Sequence, residues 1–355
     1  MDIRELDANF LKVRVKEQDV VWKNALEQPF SLHGVYYDEQ EACYRRMPKA
    51  IAKEVSVGVE VLSANTAGGR LRFKTDSPYI AIRAEVYACK PTANLGMTAM
   101  TAFSVYINNC FQGFKGPEQE EVDAVNGEWV CFEEILRRRD QGLVNIDVYF
   151  PSYNNVKTLY IGVKEGATIE RADGYPNEKP IVFYGSSITQ GGCASHSGND
   201  YVSMLSRWLN FDYINLGFSG NAKGEGKMAE YIADLDMIVF VYDYDHNART
   251  LEQLQSTHAP MYEMIRKKHP DIPVIILSAP DFQYSAEEYA KRREIIYNTY
   301  KQAKENGENV AFVDGGSMFG DEWEMCTVDC CHPNDLGFYK MAKAVAPILA
   351  NMLKR

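Results

Sequence analysis

Five short apolar runs in the second half of the chain alternate with stretches of helical periodicity, and this rhythm restricts the fold more than any other feature. The runs lie at residues 180–184, 213–216, 237–242, 273–278 and 310–314. The helical stretches lie at residues 201–209, 227–233, 251–268, 286–305 and 336–352. Strands that are apolar along their whole length are typical of a parallel sheet that helices cover on both faces. The pattern therefore predicts a three-layer α/β domain at residues 176–355.

The first half of the chain has a different rhythm, in which short segments are separated by turn residues. Segments 10–15 and 71–75 alternate apolar and polar side chains with a period of two. Further strand-like segments lie at residues 55–61, 79–86, 102–107, 129–132, 143–149 and 158–163. We expect no amphipathic helix here, and regular strands of this kind predict an antiparallel β-sandwich or jelly roll at residues 1–175. Two prolines within residues 175–180 indicate the linker.

Charge and hydropathy exclude several classes of partner. The 38 lysines and arginines against 49 aspartates and glutamates give a net charge of −11, which repels phosphate and argues against nucleic acid. No apolar run approaches the roughly 18 residues of a membrane span, so we expect no membrane partner. The first ten residues lack the basic start and apolar core of a signal peptide, which predicts a cytoplasmic protein. A secreted form trimmed of its leader would look the same.

The eight cysteines are scattered and contain no C-x-x-C pair, which fits a reducing compartment. Cys326, Cys330, Cys331 and His332 form one cluster that could be considered for zinc. Adjacent cysteines cannot easily direct both sulfurs at one ion, and no second ligand pair follows. We therefore expect free, mostly buried thiols, and neither a metal nor a cofactor.

Ligands bind beyond the carboxyl ends of the strands in open parallel sheets, and four of these ends carry unusual residues. The first strand runs into Gly-Ser-Ser-Ile-Thr-Gln-Gly at residues 185–191. A serine there would lie at a helix start, where free N–H groups can stabilise an anion. The segment lacks the lysine of a phosphate-binding loop and does not match G-x-S-x-G. The second strand ends in Asn-Leu-Gly-Phe-Ser-Gly-Asn at residues 215–221, where glycines let the backbone approach a ligand.

The third strand ends in Tyr-Asp-Tyr-Asp-His-Asn at residues 242–247, polar residues without a packing role at that point. Asn247 could direct its side-chain N–H into the crevice. Asp243, Asp245 and His246 could instead be metal ligands. We favour the first interpretation, because the directions of these three side chains alternate.

A fourth unusual segment, Val-Asp-Cys-Cys-His-Pro-Asn-Asp, lies at residues 328–335 before the last helix. We expect that helix to begin near Pro333, since proline is favoured at the first helical position. Asp329 and His332 are three residues apart, so the carboxylate can accept the imidazole Nδ1–H. The Nε2 atom is then left to take a proton from a hydroxyl group.

Together these segments resemble the four blocks of the SGNH (GDSL-like) hydrolase superfamily, and the resemblance covers the whole second half. Residues 185–191 resemble the G-D-S-[LI]-T-x-G block, with Ser186 in place of the aspartate, and this implies Ser187 as the nucleophile. Residues 215–220 are similar to the second block, which implies that the Gly220 N–H belongs to the oxyanion hole. The resemblance implies a flavodoxin-like sheet of five parallel strands.

The other two blocks complete the resemblance. Asn247 takes the position of the asparagine in the third block, although the surrounding G-x-N-D pattern is not kept. Asp329-x-x-His332-Pro resembles the D-x-x-H-P block with its catalytic acid and base. In the first half, residues 33–38, 45–48 and 102–107 resemble the N-terminal β-sandwich that precedes some bacterial SGNH hydrolases of the GxDLY type.

The resemblance implies a serine esterase with a Ser187, His332 and Asp329 triad. The backbone N–H groups of Ser187 and Gly220 and the side chain of Asn247 would form the oxyanion hole. The expected substrate is an acyl ester, first of all an acetyl ester of a carbohydrate. Two alternatives remain open: an inactive carbohydrate-binding protein, and an acyltransferase with the same triad.

The serine must be open to solvent for this chemistry. We expect Cys193, His196 and Tyr244 to line the cleft that leads to it. An ester group on a small molecule or an oligosaccharide is the expected binding partner.

Overall fold

Two large antiparallel sheets and one small sheet of two strands form the first half of the chain in the computed structural model, which describes residues 7, 14–125, 127–139, 142–280 and 285–354. The strands are β1 (Val20–Asn24), β2 (Ser31–His33), β3 (Tyr36–Asp38), β4 (Cys43–Arg45), β5 (Arg70–Thr75), β6 (Tyr79–Tyr87), β7 (Phe103–Ile107), β8 (Cys110–Lys115), β9 (Trp129–Arg137), β10 (Val144–Tyr149), β11 (Val156–Lys164) and β12 (Ile169–Glu170). One sheet has the order β1-β11-β6-β9, and the other has β12-β5-β10-β7-β8 with β2 also paired to β5. Their apolar faces pack into one core, so the predicted sandwich is confirmed.

The prediction of a strand at residues 55–61 is wrong, as is the expectation that this half lacks helices. Helices α1 (Lys49–Val55) and α2 (Val57–Leu62) occupy the segment, and α3 (Met97–Met100) and α4 (Gln119–Val125) follow later. The Ser56 hydroxyl caps α2 by accepting the Val59 N–H. Val59 is buried while Val57 and Val61 are exposed, which is a helical burial pattern that outweighs β-branched propensity. Residues 10–13 of the predicted segment 10–15 lie outside the described residues.

The second half forms a parallel five-stranded sheet in the order β14-β13-β15-β16-β17. Its strands are β13 (Ile181–Gly185), β14 (Tyr213–Gly217), β15 (Val239–Asp243), β16 (Val274–Leu277) and β17 (Val310–Val313). Its helices are α5 (Ser187–Gln190), α6 (Tyr201–Leu209), α7 (Gly226–Asp234), α8 (Leu251–Lys268), α9 (Ala286–Glu305) and α10 (Asp335–Met352). This is the predicted flavodoxin-like order, and it reverses at β13, beyond whose carboxyl end a ligand crevice is expected.

Helices cover both faces of the parallel sheet. Val182 and Tyr184 of β13 point into a core shared with α7, α8 and α9, while Ile181 and Phe183 point into a core shared with α6 and α10. The alternation of side chains along each strand therefore fills two separate cores. The predicted three-layer architecture is confirmed.

The last helix begins two residues later than Pro333, where the sequence placed its start. The Asn334 side chain is the N-cap, because its Oδ1 accepts the backbone N–H groups of Leu336 and Gly337. An asparagine that caps two amides outweighs the preference of proline for the first position. Among the described residues, no helix has the length and apolar character that crossing a membrane requires.

The two halves share apolar packing as well as polar contacts. Met47, Ala52 and Val59 of the first half lie in the same core as α7 and α8 of the second. Arg70 of β5 is fully buried, donates to the Asp212 carboxylate and stacks 3.7 Å from the Tyr213 ring centroid. The division into 1–175 and 176–355 stays a prediction.

Candidate active site

The turn after β13 presents Ser187 at the start of a helix. The hydroxyl of Ser186 accepts the Ile188 N–H at 3.2 Å and so caps the short helix α5. The amide of Ser187 lies at the first helical position, where no intrahelical acceptor exists. Ser186 thus fills a capping role at the position where the family block has aspartate.

Three side chains that the sequence placed together do converge at this turn. The Ser187 hydroxyl lies 2.9 Å from His332 Nε2, although 145 residues separate the two. His332 Nδ1 lies 2.8 Å from Asp329 Oδ2. The other carboxylate oxygen, Oδ1, accepts the backbone N–H groups of Cys331 at 3.2 Å and His332 at 2.7 Å. The contacts form one continuous hydrogen-bonded chain from hydroxyl to carboxylate.

The carboxylate of Asp329 is held in its ionised form. Partial burial by itself would raise its pKa, but hydrogen bonds from the His332 amide, the His332 ring and the Asn94 side chain outweigh burial and lower the pKa to about 2. Because an ionised carboxylate can only accept, His332 carries its proton on Nδ1. The Nε2 atom is then free to accept the Ser187 proton.

The loop after β14 carries Gly220, the residue predicted to donate its backbone N–H to an oxyanion. Gly220 has a φ of +66°, which favours glycine, and a Cβ there would meet nothing within 4 Å. The Phe218 carbonyl accepts the N–H groups of Asn221 and Ala222 and, at 3.0 Å, the side-chain Nδ2 of Asn247. One N–H of the Asn247 amide is therefore engaged, and the second is the one that could reach an oxyanion. The oxyanion roles of Gly220 and Asn247 stay predictions.

This loop is fastened to the nucleophile turn. A Cβ on Gly217 would lie 2.2 Å from the Gln190 backbone nitrogen, so only glycine allows the close approach of strand and helix. The Gln190 side chain accepts the Ser219 N–H at 3.0 Å. It also donates to the Ser152 carbonyl at 3.1 Å. Gln190 therefore links α5, the β14 loop and the sandwich.

Sequence reasoning missed the part that the first half plays in this site. The buried Arg46 donates to the carbonyls of Asn215 at 2.9 Å and Gly217 at 2.7 Å. The Tyr153 hydroxyl donates to the Ser187 carbonyl at 3.2 Å, and Asn94 Nδ2 donates to Asp329 Oδ2 at 2.7 Å. Arg46 lies within residues 45–48, which resemble the N-terminal domain of the family, but that resemblance assigned it no role at the site. Nothing in the sequence marked Asn94 or Tyr153.

The three predicted cleft residues have different positions. Cys193 lies at the site, and burial raises the pKa of its thiol to about 12, so it stays protonated at neutral pH. His196 stacks on Phe111 of β8 with ring centroids 3.7 Å apart, in contact with the sandwich. The prediction for Tyr244 is wrong, because it is 1% exposed and lies in the core of the α/β half.

One group of potential metal ligands occurs among the described residues. A donor atom from each of Cys193, Asp329 and His332 lies within 4.8 Å of the others. Both nitrogens of the imidazole are already hydrogen-bonded, Nε2 to the Ser187 hydroxyl and Nδ1 to Asp329 Oδ2. The arrangement fits a proton relay better than a metal centre.

The other sets considered for metals do not come together in the described residues. Asp243 Oδ2 accepts the hydroxyls of Thr189 and Tyr201, and Asp245 Oδ2 accepts the Ala279 N–H. The eight thiols are free, as predicted, but the expectation that most are buried is wrong. The buried ones are Cys43, Cys193 and Cys326.

Comparisons with known proteins agree with this architecture. The model of the GDSL-like lipase/acylhydrolase family matches residues 178–350, and the model of an N-terminal domain of SGNH-hydrolase-type esterases matches residues 20–169. The crystal structure of a protein named as a GDSL-like lipase from Bacteroides ovatus is 30% identical, with a TM-score of 0.82, and the match covers 94% of this chain and 98% of that one. No curated protein sequence matches the chain.

Two further structures share the fold at lower identity. A salicylyl-acyltransferase from a tetracycline biosynthetic pathway is 18% identical with a TM-score of 0.77, covering 95% of this chain and 98% of its own. An acetyl xylan esterase from the rumen bacterium Butyrivibrio proteoclasticus is 13% identical with a TM-score of 0.60, covering 94% and 99%.

The fold and the comparisons define an enzyme of the ester-hydrolase class. More particularly, the chain belongs to the GDSL-like lipase/acylhydrolase family, in the form that carries the N-terminal domain of SGNH-type esterases. It is an esterase or acyltransferase of that family.

Proposed function

We propose that this protein hydrolyses small acyl esters, first of all acetyl esters of a carbohydrate, with Ser187 as nucleophile, His332 as general base and Asp329 as the orienting carboxylate. The observation that carries the proposal is the hydrogen-bonded chain of 2.9 Å from Ser187 to His332 and 2.8 Å from His332 to Asp329. A hydroxyl, an imidazole and an ionised carboxylate in this order can activate a serine at neutral pH.

The acylation step follows from these positions. As the Ser187 oxygen attacks the ester carbonyl, its proton moves to His332 Nε2, and Asp329 stabilises the resulting imidazolium. The carbonyl electron pair moves onto oxygen, where the N–H groups of Ser187, Gly220 and Asn247 would donate to it; one such donor typically lowers the barrier by about 2.7–4 kcal/mol. The imidazolium then protonates the leaving alcohol as the carbon–oxygen bond breaks.

Deacylation uses the same groups in reverse. His332 takes a proton from water, the hydroxide attacks the acyl-serine, and the proton returns to the Ser187 oxygen as the acid leaves. The chain's own residues carry out every proton transfer in this cycle. The substrate part of the proposal is supported by the fold shared with an acetyl xylan esterase and by the family resemblance of the sandwich.

The experiment compares wild type with Ser187→Ala on p-nitrophenyl acetate, p-nitrophenyl octanoate and acetylated xylo-oligosaccharides. We expect the acetyl esters to be hydrolysed faster than the octanoate, and we expect Ser187→Ala to abolish hydrolysis of all three substrates. Ser256→Ala, which removes an exposed serine hydroxyl on α8, is the matched control and should behave as wild type. Equal, negligible rates for wild type and Ser187→Ala would contradict the proposal and favour a carbohydrate-binding protein.

Acyl transfer to a sugar hydroxyl is the second candidate, since the same acyl-serine can react with an alcohol instead of water. The fold shared with a salicylyl-acyltransferase is the observation that favours it. Released acetate and acetylated acceptor are measured together with increasing concentrations of an added oligosaccharide. A constant rate of acetate release supports hydrolysis, whereas a rate that falls as acetylated acceptor accumulates supports transfer.

A further inference from the structure

We propose that Asn94, on a loop of the sandwich, is a positioning residue for the esterase reaction, because its side-chain amide fixes the carboxylate that orients the catalytic histidine. The inference rests on the proposed function of Ser187, His332 and Asp329. It extends that function by assigning part of the catalytic machinery to the N-terminal domain.

The hydrogen bond from Asn94 is short and is made to the carboxylate oxygen that also binds the His332 ring. Asn94 Nδ2 donates to Asp329 Oδ2 at 2.7 Å across 235 residues of sequence. The same oxygen accepts His332 Nδ1–H at 2.8 Å. Every shift of this oxygen therefore moves the acceptor that sets the orientation of the imidazole ring.

Asp329 needs such an external support. Its side chain is 31% exposed and lies in the turn before α10, so packing alone does not hold it. Two backbone N–H groups of its own turn, those of Cys331 and His332, bind Oδ1. Asn94 provides a donor to Oδ2 from outside this turn, and thereby fixes the rotation of the carboxylate about its Cβ–Cγ bond.

The orientation of the Asn94 amide follows from its two neighbours. The Thr92 hydroxyl donates to Asn94 Oδ1 at 2.9 Å, and an ionised carboxylate can only accept. The oxygen of the amide must therefore face Thr92 and the nitrogen must face Asp329. The loop is anchored close by, since Leu95 pairs with Thr92 and is buried in a small cluster that also contacts Tyr153.

Two substitutions separate this role from a purely structural one. Asn94→Ala removes the donor and should lower kcat about tenfold with an unchanged KM, the typical value of one hydrogen bond to a charged group. Asn94→Asp keeps the size and the oxygen that Thr92 binds, but turns a second carboxylate towards Asp329. Like charges repel at this distance, so we expect Asn94→Asp to lower kcat further, about a hundredfold.

Asn145 offers a matched control in the same domain. Its Nδ2 also donates to a carboxylate, that of Asp173, at 3.1 Å, but this pair has no contact with the triad. Asn145→Ala and Asn145→Asp should leave kcat and KM as in wild type. Thr92→Val, which removes only the hydroxyl that orients Asn94, is the milder variant and should lower kcat a few-fold while the loop stays folded.

The kcat of Asn94→Asp, compared with that of Asn94→Ala, separates a positioning role from a purely structural one. If Asn94 only holds its loop together, Asn94→Asp will have the kcat of wild type, and Asn94→Ala will have a lower thermal stability. That result would overturn the inference. It is likewise overturned if kcat of all Asn94 and Thr92 variants equals that of the Asn145 controls. Ser187→Ala is measured in the same assay. If Ser187→Ala keeps its activity, the proposed function itself is contradicted. If Ser187→Ala is inactive while the Asn94 variants have the kcat of wild type, only the positioning role is contradicted.

Discussion

The two halves of the molecule contribute different kinds of residue to one site. The α/β half contributes the side chains of the proton relay, which follow β13 and precede α10, at positions that the repeat of strand and helix determines. The sandwich contributes Arg46, Asn94 and Tyr153, which lie outside its strands and hold the relay and its loops in place. The difference indicates that the side chains of the relay lie next to regular elements of one half, whereas supporting groups can come from irregular segments of the other half that reach them.

The largest effect should come from removing a reacting group on the α/β side. His332→Ala deletes the proposed base, and turnover of p-nitrophenyl acetate should fall by a factor on the order of 10⁶. The thermal midpoint should change little, because the ring is partly exposed and its loss opens no core cavity. His269→Ala, which removes a histidine at the end of α8, is the control. A turnover of His332→Ala within tenfold of wild type would contradict the role of His332 as a reacting group.

The second effect tests the sandwich as a support. Arg46→Met keeps the apolar stem but leaves the buried carbonyls of Asn215 and Gly217 without a donor, together with those of Leu62 and Asn65. Unsatisfied buried acceptors of this kind should lower the free energy of unfolding by about 3–5 kcal/mol, measured by urea denaturation. Arg83→Met breaks a surface pair with Glu133 and should cost about 1 kcal/mol or less. Equal losses would argue against the supporting role.

A third, smaller effect concerns the link between the two halves. Gln190→Ala removes the acceptor of the Ser219 N–H and the donor to the Ser152 carbonyl. The loop that carries Gly220 should become less ordered, and kcat should fall about tenfold. Gln112→Ala, on the exposed strand β8, should have no effect on steady-state kinetics. Identical kcat values for both variants would show that the loop holds its shape without the sandwich.

The smallest effect is a pH dependence of stability within the α/β half. Asp243 is buried behind the nucleophile turn, and burial, with the charge of Asp245, raises its pKa well above the ordinary value. Its folded form holds the proton that the unfolded chain releases above about pH 4, so it stabilises the fold fully at acidic pH and progressively less as the pH rises. Asp243→Asn keeps the acceptor for Thr189 and Tyr201 and cannot ionise.

Relative to wild type, Asp243→Asn should therefore gain unfolding free energy as the pH rises from 5 to 7, by at most about 1.4 kcal/mol per pH unit. Urea denaturation at both values measures the difference. Asp236→Asn, which changes an exposed aspartate paired with Lys179, should show no such gain. A variant that loses stability as the pH rises would mean that Asp243 is ionised and favourable in the fold.

Much of the α/β half was predictable because its signals are local and repeat. The helices at 201–209, 251–268 and 286–305 have the bounds that the apolar periodicity predicts. Ser187, Asp329 and His332 were predicted because the segments that carry them follow a strand end or precede a helix start, and because these segments resemble blocks of the family. Tyr244 was misplaced because a side chain after a strand end can turn back into the core as readily as towards the crevice.

The supports from the sandwich were beyond the reach of the sequence. Asn94 and Asp329 are 235 residues apart, and neither residue's neighbours indicate the other. The prediction of a strand at residues 55–61 was wrong for a related reason. Its valines have strand propensity, yet burial of Val59 against the second half favours a helix. Interactions between distant segments fixed both outcomes, and a local pattern carries no record of them.

Met47, Ala52 and Val59 belong to the first half by sequence and to the second by packing. Removing the chain before residue 176 would therefore expose the apolar surface of α7 and α8 to water. Exchange of the sandwich between relatives would face the same obstacle, since the graft would have to match a core as well as a linker.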